Sequence, residues 1–401
     1  MQSTKELISN IGHTIGRRPY RLFGISAADR LHHLSMFGQT GTGKSTLLAQ
    51  LMRQDVAQGV GFCLIDPHGD LAHQVASVAA DKAIYWDAAD PDGRYGYNPL
   101  TFVSKQYRPL VASGVIEALK KQWADAWGAR MEHLLRYALL ALLERPRSSL
   151  LDIVPMFLDK TFRTQVLQGV SDPQVRQFWE MEYKAMNLKT AVDGVAPIAN
   201  KLGAFLAHPV IRKAVCTPEQ PLRFRQLMDK GTILIVNLAK GRLGADVSNV
   251  LGGLVVSSLA QAALSRASVS EIERRPYFLY LDEFQNLTTE SVADMLSELR
   301  KYRLGLVLAT QYSSRLQESV REAIFGNVGS LISFRVGAND ATLIAKQFGT
   351  KLPETTDLVN LPNYDMYVKL MIDGSQSKPF SARTLPPRDE NLWEMGAEPP
   401  V

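Results

Sequence analysis

Short apolar runs separated by stretches of helical spacing dominate both ends of this chain, while its middle third carries the helical spacing with few strand candidates. Leu34 to Phe37, Val60 to Ile65, Ala83 to Trp86, Thr232 to Leu238, Tyr277 to Leu281 and Leu304 to Ala309 are runs of the kind buried on both faces of a parallel sheet. Ser330 to Val336 and Tyr364 to Ile372 add two strands, and Asp373-Gly374 predicts a hairpin into Lys378 to Arg383. Between about Gln106 and Met228, Leu134, Leu135, Ala138, Leu139 and Leu142 recur at helical spacing, and Asp172 followed by Pro173 predicts a capped helix through Lys189. A helix from Ser291 to Lys301 and a shorter one from about Asp340 to Phe348 follow. The pattern predicts an α/β fold with a mostly parallel central sheet and an inserted all-α domain. Its divisions are a basic lead-in over 1–33, a discontinuous nucleotide-binding domain over 34–104 and 229–385, the insertion over 105–228, and a Pro-rich tail over 386–401.

One junction of strand and helix carries specific chemistry. Gly38-Gln39-Thr40-Gly41-Thr42-Gly43-Lys44-Ser45 fits G-x-x-x-x-G-K-[ST], with a strand before it and Thr46 to Met52 opening a helix after it. Glycines let successive N–H groups turn around a polyphosphate, and the helix N-terminus adds its positive dipole end. Gly38, Thr40, Gly41, Thr42, Gly43, Lys44, Ser45 and Thr46 are the expected nucleotide contacts, with Lys44 on the β- and γ-phosphates and Ser45 on Mg²⁺. The run ending in Asp282-Glu283 supplies the second half: Asp282 to hold Mg²⁺ partly through water, and Glu283 to orient the attacking water as general base. ATP and Mg²⁺ are therefore the expected cofactors.

Other strand ends are polar as well. Asp66-Pro67-His68-Gly69-Asp70 should border the phosphates, because open α/β sheets bind ligands at strand carboxyl ends. Thr310-Gln311 ends another strand, where Gln311 could sense the γ-phosphate. The loop from Ala239 to Asp246 is glycine-bearing and basic, so Lys240 and Arg242 are candidate contacts to a DNA backbone, or only part of a helix-entry loop. Arg300 ends the helix after the acidic pair. It either complements the helix dipole or serves as an arginine finger in a neighbouring subunit's site.

Composition changes this picture little. Lys+Arg 45 against Asp+Glu 40 gives a net charge of +5, which permits a nucleic-acid partner without demanding one. Arg17, Arg18, Arg21 and Arg30 suggest a basic arm or a solvated terminus, and Trp123, Trp127 and Tyr137 among the lysines and arginines of 105–147 fit either a nucleic-acid strand or ordinary helix faces. Cys63 and Cys216 have no metal-ligand spacing, in keeping with a reducing cytoplasm. Val247 to Leu264 is apolar but interrupted by polar residues, reading as a buried helix.

Taken in order, GQTGTGKS, DPHGD, the all-α insertion after NPL, LYLDEFQNL, ELRKYRLGLVLATQY and GNVGSLISFRVGANDA resemble the RecA-like motor of type IV secretion and conjugative coupling proteins of the TraG/TraD type, within the HerA/FtsK-like ATPases. The resemblance implies a ring, usually a hexamer, that hydrolyses ATP between subunits and drives DNA through its pore, with a relaxase or secretion-channel membrane subunits as further partners. By position it gives Lys44 and Ser45 to phosphate and Mg²⁺, Asp282 and Glu283 to the Walker B pair, Gln311 to the sensor and Arg300 to the trans finger, with Arg335 as the alternative finger. Many coupling proteins begin with two membrane helices that this sequence does not show. The expected location is thus the cytoplasm, or the periphery of the inner membrane through a partner. Competing expectations are a HerA-like motor on double-stranded DNA for end processing or defence, a secretion ATPase for protein substrates, and a nucleotide-gated assembly platform.

Overall fold

The apolar runs lie side by side in one eleven-stranded sheet. The structure, a computed structural model, describes residues 7–385 apart from 17–18, 102, 187, 289 and 350–352. In chain order its strands are β1 (Ile8–Thr14), β2 (Leu22–Ser26), β3 (Leu34–Phe37), β4 (Gly61–Asp66), β5 (Ala83–Asp87), β6 (Ile233–Asn237), β7 (Tyr277–Leu281), β8 (Leu304–Thr310), β9 (Ser330–Ser333), β10 (Asp365–Lys369) and β11 (Phe380–Thr384). In space they run β2-β1-β11-β10-β9-β3-β8-β7-β4-β6-β5. Every pairing from β9 to β5 is parallel. Every pairing from β9 to β2 is antiparallel. The parallel register brings the carboxyl ends of β3, β4, β6, β7 and β8 to one edge of the sheet, where ligands of open α/β sheets bind.

Both faces are covered, which is why these strands read as unbroken apolar runs. On one face the P-loop helix Lys44–Gln58 packs Leu47, Leu48, Leu51 and Met52 against Leu34, Phe62 and Val307. The other face is covered by Arg108–Gln122, Ala245–Leu264 and Glu290–Leu299. That core continues without a break into the helical segment, so Leu134, Ala138, Trp179 and Phe205 belong to the same apolar cluster as Ile65, Leu279 and Leu281. The inserted helices are thereby fastened to the layer beneath the nucleotide-binding strands. Among the described residues one helical stretch, Ala245–Ser268, is long and apolar enough to cross a membrane, and 72% of its apolar window is buried inside the fold.

Three expectations are corrected here. Residues 8–14 and 22–26 are strands of the main sheet and not a solvated lead-in; Gly12 pairs with Thr384, closing the amino-terminal segment onto the last strand. Arg30, read as part of a basic arm, is wholly buried: its Nη2 donates to Asp55 Oδ1 at 2.6 Å, its Nη1 to the Tyr280 hydroxyl at 3.0 Å, and its guanidinium lies over Phe278 at 3.7 Å. Arg17, Arg18 and the Pro-rich tail lie outside the described residues. Asp172 caps its helix as expected, but the helix does not run unbroken to Lys189. A π-helical turn, Phe178–Glu182, widens it, and the chain leaves helical geometry at Met186. The wide turn lets Phe178 stack on Tyr137 at 4.1 Å while Trp179 also stays buried.

The aromatic and basic residues of 105–147 are largely occupied within the fold. Lys121 is half-buried and donates to the carbonyls of Gln285 and Thr288, Trp127 donates to Glu132, and Arg108 pairs with Glu144.

Candidate functional site

β3 ends at Phe37, and the P-loop turns from it with Gly41 at φ 76° and Gly43 at φ 126°, backbone that residues with a Cβ rarely adopt. The loop is tied to both neighbouring strands: Gly38 N donates to Thr310 O at 3.2 Å, and Gln39 N to Arg335 O at 2.8 Å. The helix Lys44–Gln58 starts directly from Gly43 with no side-chain cap, leaving its first N–H groups for a ligand. Lys44 is buried and donates to the carbonyls of Gly38 and Gln39 at 2.6 and 2.9 Å. Burial pushes its ammonium down to about 8, against the opposing pull of Asp282 and Glu283.

The acidic pair stands at the end of β7. Burial, and then the charge of Asp66 at the end of β4, lift the Asp282 carboxyl to about 6, with Lys44 opposing. Asp66 itself is buried and accepts from His68 N and Ala72 N, both at 2.9 Å, which anchors the Asp-Pro-His-Gly-Asp turn. Glu283 takes a left-handed backbone, φ 48°. Its carboxylate collects donors from several elements: Gln311 Nε2 at 3.1 Å, Asn286 Nδ2 at 3.2 Å and His68 Nε2 at 3.2 Å, with Lys240 Nζ at 3.7 Å. Gln311 also accepts from Thr40 Oγ1 at 3.0 Å through its amide oxygen. Thr40, Lys44, Asp66, His68, Asp282, Glu283 and Gln311 line a cleft of about 550 Å³ that also includes Ser45, Thr46, Asp70 and Tyr364, with Asn286 and Lys240 just behind Glu283.

The arrangement suits a magnesium triphosphate. Two neighbouring carboxylates, Asp66 and Asp282, the second resisting ionisation through burial and then through the charge of the first, face a buried lysine and a run of backbone donors; a divalent cation and a polyanion would relieve each other's charge there.

Lys44, Ser45, Asp282, Glu283 and Gln311 thus lie in one cleft, but Arg300 is elsewhere. It stands in the turn before β8, at the opposite edge of the sheet, and seven residues of strand at roughly 3.3 Å each put it about 20 Å away. There it is exposed and borders a cleft of about 280 Å³ with His32, Asn327 and Gly329. Arg335 lies beside its own P-loop, donating to Leu361 O at 3.0 Å and Asn363 Oδ1 at 2.8 Å. The stretch from Ala239 to Asp246, expected either as a basic loop for a DNA backbone or as a helix-entry loop, forms the short helix Lys240–Leu243 directly ahead of Ala245–Leu264, stitched by Lys240 N to Pro67 O at 2.9 Å. Its basic side chains turn towards acids at the same sheet edge, Lys240 to Glu283 and Arg242 to Asp87, because β5, β6 and β7 all end there. His68, Asn286 and Tyr364 are site residues not singled out by the sequence reading. The first stood inside a noticed turn and Asn286 inside the quoted LYLDEFQNL stretch, whereas Tyr364 had no motif to mark it.

Residues 10–176 match the family described as the helicase HerA central domain. Residues 276–360 match the family described as the TraM recognition site of TraD and TraG. No curated protein matches the chain by sequence. Among solved structures, the unbound bacterial conjugative coupling protein TrwBdeltaN70 is similar at TM-score 0.67 and 18% identity, over 90% of this chain and 87% of that one. The plasmid coupling protein TrwB in complex with an ATP analogue is similar at TM-score 0.65 and 20% identity, over 89% and 86%. VirB4 of Thermoanaerobacter pseudethanolicus is similar at TM-score 0.67 and 13% identity, over 96% and 98%. At such identities the structures share the fold, while the two family matches carry the P-loop and the acidic strand separately. On these grounds residues 10–176 are similar to a HerA central domain and residues 276–360 to a TraD and TraG segment, on a RecA-like P-loop fold shared with TrwB and VirB4.

Proposed function

We propose that this protein hydrolyses ATP with Mg²⁺ in the cleft at the carboxyl edge of the sheet and couples the reaction to DNA movement as a ring of identical subunits. The observation that carries this reading is the base: Glu283 is joined through Gln311 to Thr40 of the P-loop, so a general base and a phosphate-binding loop are held in one hydrogen-bonded unit. A platform that only binds nucleotide has no use for such a base. TrwB, whose fold is shared, has been solved with an ATP analogue and with ADP and Mg²⁺.

In this reading the free N–H groups from Gly43 onward and the Lys44 ammonium hold the phosphates, and Glu283 accepts the proton of the attacking water while Gln311 fixes its orientation. Ser45 and Asp282 hold Mg²⁺, which when bound offsets phosphate charge. Two of the three ammonium donors of Lys44 go to the Gly38 and Gln39 carbonyls, which leaves one for a phosphate oxygen. Arg300, remote from its own P-loop and exposed, belongs to a neighbour's site, and this makes a ring, expected to be a hexamer, part of the mechanism. A relaxase or secretion-channel membrane subunits are the further partners, with the protein in the cytoplasm or docked peripherally at the inner membrane.

The test is steady-state ATP hydrolysis against protein concentration, with no DNA, single-stranded DNA and duplex DNA, at two salt concentrations. A steep rise with concentration, stimulated by DNA and weakened by salt, is expected, since phosphate contacts are salt-sensitive. A secretion ATPase for protein substrates is the second reading, favoured by one observation: Lys240 and Arg242 are engaged by Glu283 and Asp87, which draws the basic stretch away from DNA. Activity indifferent to DNA would select it.

A further inference from the structure

Among the described residues Tyr364 and His68 are the two rings lining the P-loop cleft; His68 is engaged with Glu283, whereas Tyr364 stands on the β10 side of the loop, away from Asp282 and Glu283. Its backbone N–H donates to Thr42 O at 2.8 Å, and its own carbonyl accepts from Thr384 N at 3.0 Å, so both the P-loop and the last strand fix it. The ring edge comes so close to Gly43 that a Cβ there would lie 3.3 Å from Tyr364 Cδ1. The residue is 38% exposed, and φ is 71°, a conformation that an aromatic residue rarely adopts.

The neighbouring residues hold this conformation in place. Arg335 leaves β9 and donates to Leu361 O and Asn363 Oδ1, clamping the turn that presents the ring, while its own carbonyl accepts from Gln39 N of the P-loop. Strained backbone that surrounding contacts over-determine clusters at ligand-binding positions. A half-exposed ring held over a phosphate-binding loop offers a stacking face to whatever lies beyond the phosphates. Triphosphate oxygens have no use for such a face; a planar base does.

We propose that Tyr364 is the nucleobase platform of the cleft, with Arg335 as the positioning residue that holds its turn against the P-loop. This rests on the ATPase reading above and deepens it: the phosphates are held by the P-loop, and the base is held from β10. Since a ring face carries no hydrogen-bond code, the platform holds a base by stacking and reads little of its identity. Arg335 therefore acts within its own subunit, which leaves Arg300 as the arginine free to cross to a neighbour.

The test is equilibrium binding of Mg·ATP and of inorganic tripolyphosphate to the wild-type protein and to Tyr364→Gly and Tyr364→Phe. Glycine adopts a φ of 71° without a steric penalty, so Tyr364→Gly removes the ring and leaves the turn its geometry. The expected result is about a tenfold loss of ATP affinity in Tyr364→Gly, the scale of one stacked base, with tripolyphosphate affinity unchanged and Tyr364→Phe close to wild type on both. Equal losses for ATP and tripolyphosphate would overturn the proposal, because the ring would then act on the P-loop and not on the base. Unchanged ATP affinity in Tyr364→Gly would overturn it as well. Wild-type protein that binds neither ligand would instead remove the ATPase reading on which the proposal stands.

Discussion

Gln311 donates to Glu283 at 3.1 Å while accepting from Thr40 at 3.0 Å, so one side chain from the end of β8 spans the gap between the acidic strand and the P-loop. A γ-phosphate entering the loop competes for the Thr40 hydroxyl, and its arrival is therefore felt at Glu283 through a single amide. Gln311→Ala is expected to lower kcat by about 10- to 100-fold with ATP affinity within a few-fold of wild type, since a water-orienting contact acts in the transition state. Parallel kcat and equilibrium binding measurements check this. An affinity loss as large as the kcat loss would make Gln311 a binding residue.

Glu283→Gln keeps the shape of the side chain and one of its two accepting oxygens while removing its basicity. Loss of a general base costs about 10²- to 10⁴-fold, so turnover should nearly vanish while nucleotide binding persists. Single-turnover hydrolysis against nucleotide binding separates the two, and turnover near wild type would place the base elsewhere.

The Asp282 carboxyl, lifted from 3.8 to about 6 by burial and by Asp66, lowers the stability of the nucleotide-free fold above pH 6, where it must remain charged. As pH falls from about 6 towards 4, the folded state takes up a proton that the unfolded chain does not, and that penalty disappears. Asp282→Asn should therefore stabilise the Mg²⁺-free protein at pH 7.5 by about 1–2 kcal/mol, allowing for partial solvent screening, and by only about half as much at pH 5, since the penalty is fully gone only below about pH 4. It should also abolish the gain in nucleotide affinity that Mg²⁺ gives. Urea unfolding at the two pH values is the measurement, and a destabilised variant at pH 7.5 would contradict the like-charge account.

The buried Arg30–Asp55 pair, closed by the Tyr280 hydroxyl at 2.6 Å from Asp55, joins the amino-terminal segment, the P-loop helix and β7. Removing one member leaves a buried charge unpaired, which typically costs about 3–5 kcal/mol. Asp55→Ala is expected to lose stability on that scale, whereas replacing both residues by apolar ones should recover most of it. Chemical denaturation of the two variants decides whether the pair is structural.

The sequence reading located the nucleotide cleft because its residues sit at the ends of apolar runs, where strand period and motif reinforce one another. Lys44, Asp282, Glu283 and Gln311 all belong to this class. The amino-terminal strands were missed for the opposite reason: β1 carries Ser9, Asn10 and His13, and its partner β11 lies at the far end of the chain, so no local period marks β1 as sheet. Arg30 looked exposed because charge usually is; only the fold brings Asp55 and Tyr280 to it. Tyr364 had no signal, since its importance comes from a turn held by Arg335 and Thr42. The basic stretch after β6 read as mobile because Gly241 and Gly244 are flexible in isolation, whereas the acids that engage it come from two other strands.

Arg300 can contribute to hydrolysis only from a neighbouring molecule, being about 20 Å from its own P-loop across the length of β8. Arg300→Ala subunits should then retain their P-loop and bind ATP yet fail to complete the next site, while Lys44→Ala subunits have an empty P-loop but an intact arginine. Each is expected to be nearly inactive alone, on the scale of 10³-fold for a lost arginine finger. In a mixed ring, some interfaces pair an intact P-loop from the Arg300→Ala subunit with an intact arginine from the Lys44→Ala subunit. If a quarter of interfaces in a random equal mixture are of this kind and sites fire independently, activity should return to about a quarter of wild type, a rise far above either parent. The measurement is ATPase activity across mixing ratios at constant total protein, with ring assembly followed by sedimentation. Activity that stays at the parental level while rings form would exclude the shared-site role for Arg300.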